Sequence, residues 1–190
     1  IMYEQLTEFI KQFVDPNPEQ LDYYLSHYTC KVFKKGDYLC KAGEVCQECF
    51  FINKGIVRKY KTGNKRDLTT WFFFENGFAT ENSSFYTQTV AQSNLKTVTE
   101  VEALVISYES MQAIYANGDC IWEKFGRLVA EQATNHVAET MIGLVHKSAK
   151  GKYEAFINQR PNILKHIPLL HISSYIGVAL ETVSRIRKNR

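Results

Sequence analysis

Residues 171–190, HISSYIGVALETVSRIRKNR, constrain this chain more than any other stretch. Apolar positions Ile172, Ile176, Val183 and Ile186 define the inner faces of two short amphipathic helices, and Gly177 between them permits a tight turn. The second helix begins near Leu180 and ends in Arg185, Arg187, Lys188 and Arg190. This pattern predicts a helix-turn-helix, which lays its second helix in the DNA major groove. The rest of the chain is then left to decide when that helix binds.

The residues on the predicted outer face suit base reading. Arg185 can donate two hydrogen bonds to guanine O6 and N7, and Glu181 can accept one from cytosine N4. The hydroxyls of Ser173, Thr182 and Ser184 suit phosphates, and Arg187, Lys188 and Arg190 add positive charge and counterion release. An acid inside a basic face is unfavourable for generic phosphate binding but useful for reading a base. The other reading of Glu181 is that it favours the helix N-terminus through the macrodipole. Ala179 stands at the expected N-cap, where a missing side-chain acceptor costs about 1 kcal/mol.

Charge is divided along the chain. Residues 146–190 hold nine Lys/Arg against two Asp/Glu, whereas residues 1–145 hold fourteen against eighteen. A basic end on an acidic body points to a partner with phosphates. The length of 190 residues and the 45% hydrophobic content fit one or two domains with real cores. No apolar run approaches the roughly 18–20 residues that span a bilayer, so no membrane partner is expected. The first residues are mixed and acidic rather than basic then apolar, and the expected compartment is the cytoplasm.

Five cysteines, Cys30, Cys40, Cys46, Cys49 and Cys120, are odd in number and unevenly spaced, as expected for reduced thiols. Cys46-x2-Cys49 has a ligand spacing and Cys40 could add a third sulfur, but no second pair or histidine cluster completes a metal site. A thiol sensor built on these three is one reading of them. Five scattered histidines, no nucleophile elbow and no phosphate-cradling glycine loop give no catalytic residues, so no enzyme is expected.

Residues 3–14 and a segment from Pro18 to about His27 read as helices, the second capped by Asn17. Short β-rich runs follow at 30–34, 38–41, 49–53, 56–61, 68–74, 95–99 and 103–107, with a hairpin turn at Asn53-Lys54-Gly55. Seven or eight such strands predict an antiparallel sandwich or jelly roll. Ser107 caps a short helix to about Ala116, and Asp119 opens a long one to about His146. Its apolar stripe runs over about seven turns, more than one neighbour can cover. Phe125, Leu128, Val129, Gln132, Val137 and Met141 are the candidate dimer seam. A helix over 148–160, broken at Arg160-Pro161, and a turn of helix between Pro161 and Pro168 lead to the terminal motif, with no legible β-wing. The expected class is α+β: helices and roll over 1–116, the long helix over 117–147, and the helix-turn-helix domain over 148–190.

In that order the chain resembles the cyclic-AMP receptor / fumarate-nitrate regulator (CRP/FNR) family of bacterial transcription factors. Phe33-x2-Gly36-Asp37-x-Leu39-x2-Ala42-Gly43-Glu44 and Phe50-Phe51-Ile52-x2-Gly55 look like the family's cyclic-nucleotide-binding-type roll, and Ile176-Gly177-Val178-x2-Glu181-Thr182-Val183-x-Arg185-Ile186 is similar to its recognition element. The resemblance implies a homodimer that binds a palindromic operator on double-stranded DNA and engages RNA polymerase. It also places an effector pocket at Thr80, Glu81, Asn82 and Ser83, with Thr134 and Asn135 of the long helix beside it.

Two departures stand out. Members that bind cyclic AMP carry a Gly-Glu pair followed some ten residues on by Arg-Ser. Here Thr80 replaces the Gly, and residues 87–94 contain no arginine. A cyclic phosphate would lose a charge-assisted partner of roughly 1.5–3 kcal/mol. Cyclic AMP is therefore not the expected effector. The nearest cation in this reading is Lys96, and the pocket either holds another ligand or is filled by Phe72, Phe74, Phe78 and Phe85. No cysteine precedes the first strand, where iron–sulfur members carry theirs. In the recognition helix, Leu180 stands where some members place a base-contacting Arg, so it either touches a thymine methyl or packs internally. The competing overall reading is a ligand-binding or interaction module whose helix-turn-helix is vestigial.

Overall fold

The computed structural model describes residues 3–160 and 162–189. Pro161, expected to break a helix, and Arg190, expected to add terminal charge, lie outside them.

Two helices come first, α1 (Glu4–Lys11) and α2 (Pro18–Ser26). The second is set by a capping box: Asn17 accepts from Gln20 N, Gln20 reaches back to Asn17 N, and Pro18 occupies the first turn. Eight strands follow: β1 (Thr29–Phe33), β2 (Tyr38–Cys40), β3 (Glu48–Lys54), β4 (Val57–Lys61), β5 (Leu68–Phe73), β6 (Gly77–Ala79), β7 (Asn94–Thr97) and β8 (Val101–Ser107). They form two antiparallel four-stranded sheets in the orders β1-β8-β3-β6 and β2-β7-β4-β5, as the jelly-roll expectation requires. Cys49-Phe50-Phe51-Ile52 is buried without alternation because β3 is covered on both faces. Phe51 faces outward to Phe9 of α1, at 5.5 Å between ring centroids. Gly55 turns the β3–β4 hairpin at φ 103°, where a Cβ would strike the Glu100 carbonyl.

Inside this roll lies α3 (Asn82–Thr87), capped by Glu81, which the sequence reading did not separate from its surroundings. The three-residue β6 was also missed. After the roll come α4 (Tyr108–Ala116), capped by Ser107, and α5 (Cys120–His146), capped by Asp119, both where expected. The first turns of α5 belong to the roll's own core. Trp122 stacks on Tyr24 at 4.2 Å, and Phe125 packs edge-on to Tyr24, Phe13 and Phe9. Phe125 was expected in a dimer seam; it is buried within its own chain instead.

The C-terminal part comprises α6 (Ala149–Gln159), a 3-10 turn (Ile163–Lys165), α7 (Leu169–Ile176) and α8 (Leu180–Lys188). Tyr153, Ile157, Ile163, Ile167, Ile172, Ile176 and Val183 form its core, and the roll contributes Phe72 and Val98 to the same cluster. Gly177 joins α7 to α8 in the left-handed conformation, φ 65°.

Candidate functional site

The first candidate surface is α8. Glu181, Arg185, Arg187 and Lys188 are exposed, and Thr182 and Ser184 are half-buried beside them. Val183 is buried beneath, so the helix is held by one face and presents the other. Ala179 offers no side-chain cap, as read from the sequence, and Leu180 is half-buried. Ser173 departs from the expectation of a phosphate-facing hydroxyl. Its side chain is buried and donates to the Leu170 carbonyl at 2.9 Å.

The second candidate is a cavity of about 950 Å³ between the roll and α5. Thr80, Glu81, Asn82 and Ser83 line it together, as the resemblance implied. Thr134 lines it from α5, but Asn135 does not. The cavity is not filled by phenylalanines. Phe85 is buried in the roll's core, Phe72 is largely spent on the C-terminal cluster, and Phe74 and Phe78 form walls.

The cavity is lined by Lys59, Lys61 and Arg160 and not by Lys96. Residues paired across strands share a sheet face, and Arg58 pairs with Lys96 in the β4–β7 register. Lys96 therefore points with Arg58 away from the cavity, and its ammonium rests over the Tyr38 ring at 4.5 Å. Lys59, one residue on, points inward. Its Nζ lies 2.9 Å from Glu81 Oε1. Glu81 Oε2 accepts from Ser84 N at 2.9 Å and Ser83 Oγ at 2.8 Å. Burial alone would raise the Glu81 carboxyl, but Lys59 and these two donors hold it below the usual carboxylate range. Alternation through Val57-Arg58-Lys59 sets Lys59 on the face opposite Arg58, and the register of β4 against β7 decides which face looks into the cavity.

β5 links the cavity to α7, which carries α8. Its Trp71 lines the cavity and meets His136 of α5 and Tyr175 of α7, while Phe72 packs on Tyr175 and Phe156. Ser174 of α7 ties the parts together by polar contact. Its Oγ donates to the Asp67 carbonyl at 2.9 Å and accepts from Thr69 N at 2.9 Å. Ser174→Ala would strand the buried Thr69 N–H and the half-buried Asp67 carbonyl. It is expected to cost about 1–2 kcal/mol, read as a lower Tm and faster amide exchange at Thr69.

His171, at the start of α7, faces Arg58 and Asp67. Burial lowers its affinity for a proton, Arg58 lowers it further, and Asp67 opposes them. The docked protein thus binds fewer protons here than the unfolded chain does. Stability from this group is full above the unfolded histidine value of about 6.5. It falls as pH drops below that value and levels off beneath the lowered folded value. Thermal melts from pH 8 to pH 5 should show the loss, and His171→Gln should flatten it.

Residues 30–117 match the family model described as cyclic nucleotide-binding domain. The solved structure of FixK2 from Bradyrhizobium japonicum superposes with a TM-score of 0.68 at 16% identity, covering 85% of this chain and 83% of that one. The c-di-GMP responsive global regulator CLP of Xanthomonas campestris superposes at 0.67 and 14% identity, over 91% of each chain. A transcriptional regulator assigned to the crp/fnr family from Eubacterium rectale gives 0.71 at 14% identity, over 92% of this chain and 83% of that one. This chain has the CRP/FNR regulator fold. Within that fold the cavity stands where a cyclic-nucleotide-binding roll meets its long helix, and α7–α8 form the terminal element. No curated protein sequence matches the chain. Among the described residues no cluster of three His, Cys, Asp or Glu side chains could hold a metal ion, and no helix is long and apolar enough to cross a membrane.

Proposed function

We propose that this protein is a sequence-specific DNA-binding transcription regulator that works as a homodimer, with α7–α8 as its helix-turn-helix. The observation that carries the reading is the outer face of α8, where exposed Glu181 and Arg185 stand beside Arg187 and Lys188 on a helix anchored by buried Val183. Arg185 reads guanine, Glu181 reads cytosine, and Thr182, Ser184, Arg187 and Lys188 hold the backbone. A palindromic operator follows from a two-fold dimer, and RNA polymerase is the machinery such a complex would recruit or block. Mobility shifts against a genomic fragment library test it. A few fragments retained at physiological salt support the reading, and equal, steeply salt-dependent retention of all fragments contradicts it.

In this reading the cavity senses an effector other than cyclic AMP. A cyclic phosphate needs a cation beside Glu81, and of the cavity's cations Lys59 is committed to Glu81, Arg160 lies over the Phe74 ring at 3.9 Å and Lys61 is exposed at the end of β4. Glu81, the acid that would hold a ribose hydroxyl, is itself committed to Lys59, Ser83 and Ser84. Calorimetry with cyclic AMP is expected to give no heat at concentrations where family members that use it saturate. Tight binding there would refute this part.

The uncapped Ala179 and half-buried Leu180 favour a second reading, an effector-binding module with a vestigial helix-turn-helix. Ligand binding in the cavity with no retained DNA fragment would select it.

A further inference from the structure

The cavity has two ends of different character. At the enclosed end Lys59 and Glu81 leave only 18% and 4% of their side chains exposed, and they satisfy each other. At the open end stands Arg160, the residue that closes α6. Its guanidinium lies over the Phe74 ring at 3.9 Å, and the residue is exposed to solvent. Among the described residues it has no ion-pair partner. Glu75, which also lines the cavity, gives its Oε1 to Gly55 N at 3.0 Å instead. Burial lowers the proton affinity of the guanidinium, and the charge of Glu75 opposes this. An arginine stays charged under both influences, so Arg160 holds a partly desolvated positive charge that lacks a bound anion.

Between the two ends the walls are largely aromatic. Lys59 pairs with Trp71 and Val57 with Phe73 across β4–β5, so Trp71 and Phe73 share the face of Lys59 and look into the cavity. Phe78 and Tyr115 line it as well. The wall hydroxyls are spent locally: Thr70 donates to the Lys59 carbonyl at 3.3 Å and Thr134 to the Ala130 carbonyl at 2.8 Å. These walls favour a flat apolar body that meets rings by stacking and edge contacts. The volume of about 950 Å³ suits a ligand of drug size.

The remaining lining cation, Lys61, pairs with Leu68 at the far end of the β4–β5 hairpin, whereas Phe74 follows Phe73 at the near end. Lys61 and Arg160 are thus separated by roughly 20 Å of strand and do not act on one group. A lone guanidinium suits an acid with a single negative charge, and its planar fork matches a carboxylate.

Arg160 also belongs to the C-terminal part. Its N donates to the Ile157 carbonyl at 3.1 Å and its carbonyl accepts from Ile163 N at 3.0 Å, and both isoleucines are buried in the C-terminal core. The aromatic walls belong to the roll and α4. A ligand that fills the cavity and bonds to Arg160 touches both parts at once.

We propose that the cavity takes an aromatic carboxylic acid, whose rings lie among Trp71, Phe73 and Phe78 and whose carboxylate pairs with Arg160, so that the ligand fastens the helix-turn-helix part to the roll. The inference rests on the reading of the cavity as the effector site. It names the effector's chemistry and the residue through which the DNA-binding part feels it.

The test uses the full chain with biphenyl-4-carboxylate and its neutral counterpart, biphenyl-4-carboxamide. Calorimetry is expected to show the acid bound about tenfold more tightly than the amide, the discrimination that one charge-assisted pair gives at a partly exposed site. In Arg160→Gln the acid should fall to the affinity of the amide. Amide exchange reads the bridge separately: the acid should slow residues 71–78 and 153–160 together, and the amide 71–78 alone. Equal binding of acid and amide by the unaltered chain, or loss of the preference in Lys61→Gln instead of Arg160→Gln, would overturn the role of Arg160 and leave the cavity an effector site. Slowing of 71–78 alone by the acid would overturn the bridge. Decanoate bound as tightly as the biphenyl acid, or neither biphenyl bound at all, would overturn the ligand class. DNA selection by α8 is read on duplexes without any probe, so none of these failures is mistaken for a failure of the DNA-binding reading.

Discussion

Met141→Glu is expected to split the proposed homodimer into monomers and to abolish its tight DNA binding. The argument begins with the second half of α5. From Ala130 to Glu139 every residue is exposed in the single chain, although Thr134 and Val137 border the cavity and His136 meets Trp71, so the roll leaves this part of the helix largely uncovered. Ala130, Thr134, Val137, Met141 and Val145 recur at three- and four-residue spacing on one side, and Val137, Met141 and Val145 are 42%, 60% and 76% exposed. Burying each large apolar side chain yields about 1.5–3 kcal/mol, and a two-fold interface counts each twice. A glutamate at 141 removes that gain and sets two like charges at the seam. A monomer engages one half-site rather than two, which forfeits an avidity of roughly 10²–10⁴. Sedimentation and anisotropy read the two effects separately. Glu139→Lys, on the opposite side of the helix, should leave the dimer intact. A Met141→Glu protein that stays dimeric would remove α5 from the interface. Of the expected seam, Gln132, Val137 and Met141 stand exposed, Leu128 and Val129 are half-buried, and Phe125 has left it.

Arg185→Ala is expected to cost about 1–3 kcal/mol on the best DNA site and to relax the sequence preference at one base pair. Two functions of arginine are thereby separated. A guanidinium that bonds guanine O6 and N7 loses affinity on its preferred base alone, whereas one that holds phosphate loses it equally on every sequence. Lys188→Ala serves as the comparison, because a phosphate contact should weaken binding uniformly and reduce the salt slope by about 1. A uniform loss for Arg185→Ala would move it from the base-reading group to the phosphate-holding one.

The sequence makes some parts of this molecule easy to read and hides others for physical reasons. Asn17-Pro18, Ser107, Asp119 and Gly177 mark element ends because caps and left-handed turns are local chemistry, written in one or two residues. The helix α3 is polar and six residues long, and its cap, Glu81, looked like a ligand group; no periodicity can show so short an element. Gly77–Ala79 is a strand only because β3 pairs with it, a long-range fact. Phe125 lies on the same helix as the exposed stripe, and only the arrival of α1 and α2 decides that it faces inward. Ser173 has the composition of a phosphate contact, but helix phase turns it under α7. In the cavity the acid at Glu81 was legible from its motif, whereas Lys59 needed the register of β4 against β7 to be told from Lys96.

The claim that α8 reads sequence as part of a two-fold dimer is tested most directly by selection from randomised duplexes, followed by titration of the enriched site against a scrambled one. The account predicts an inverted repeat with half-sites one helical turn or a multiple apart, two chains per duplex, and an affinity at least about 10³-fold above scrambled DNA at physiological salt. Enrichment of no sequence, with scrambled and selected duplexes bound equally and released together by salt, would contradict it.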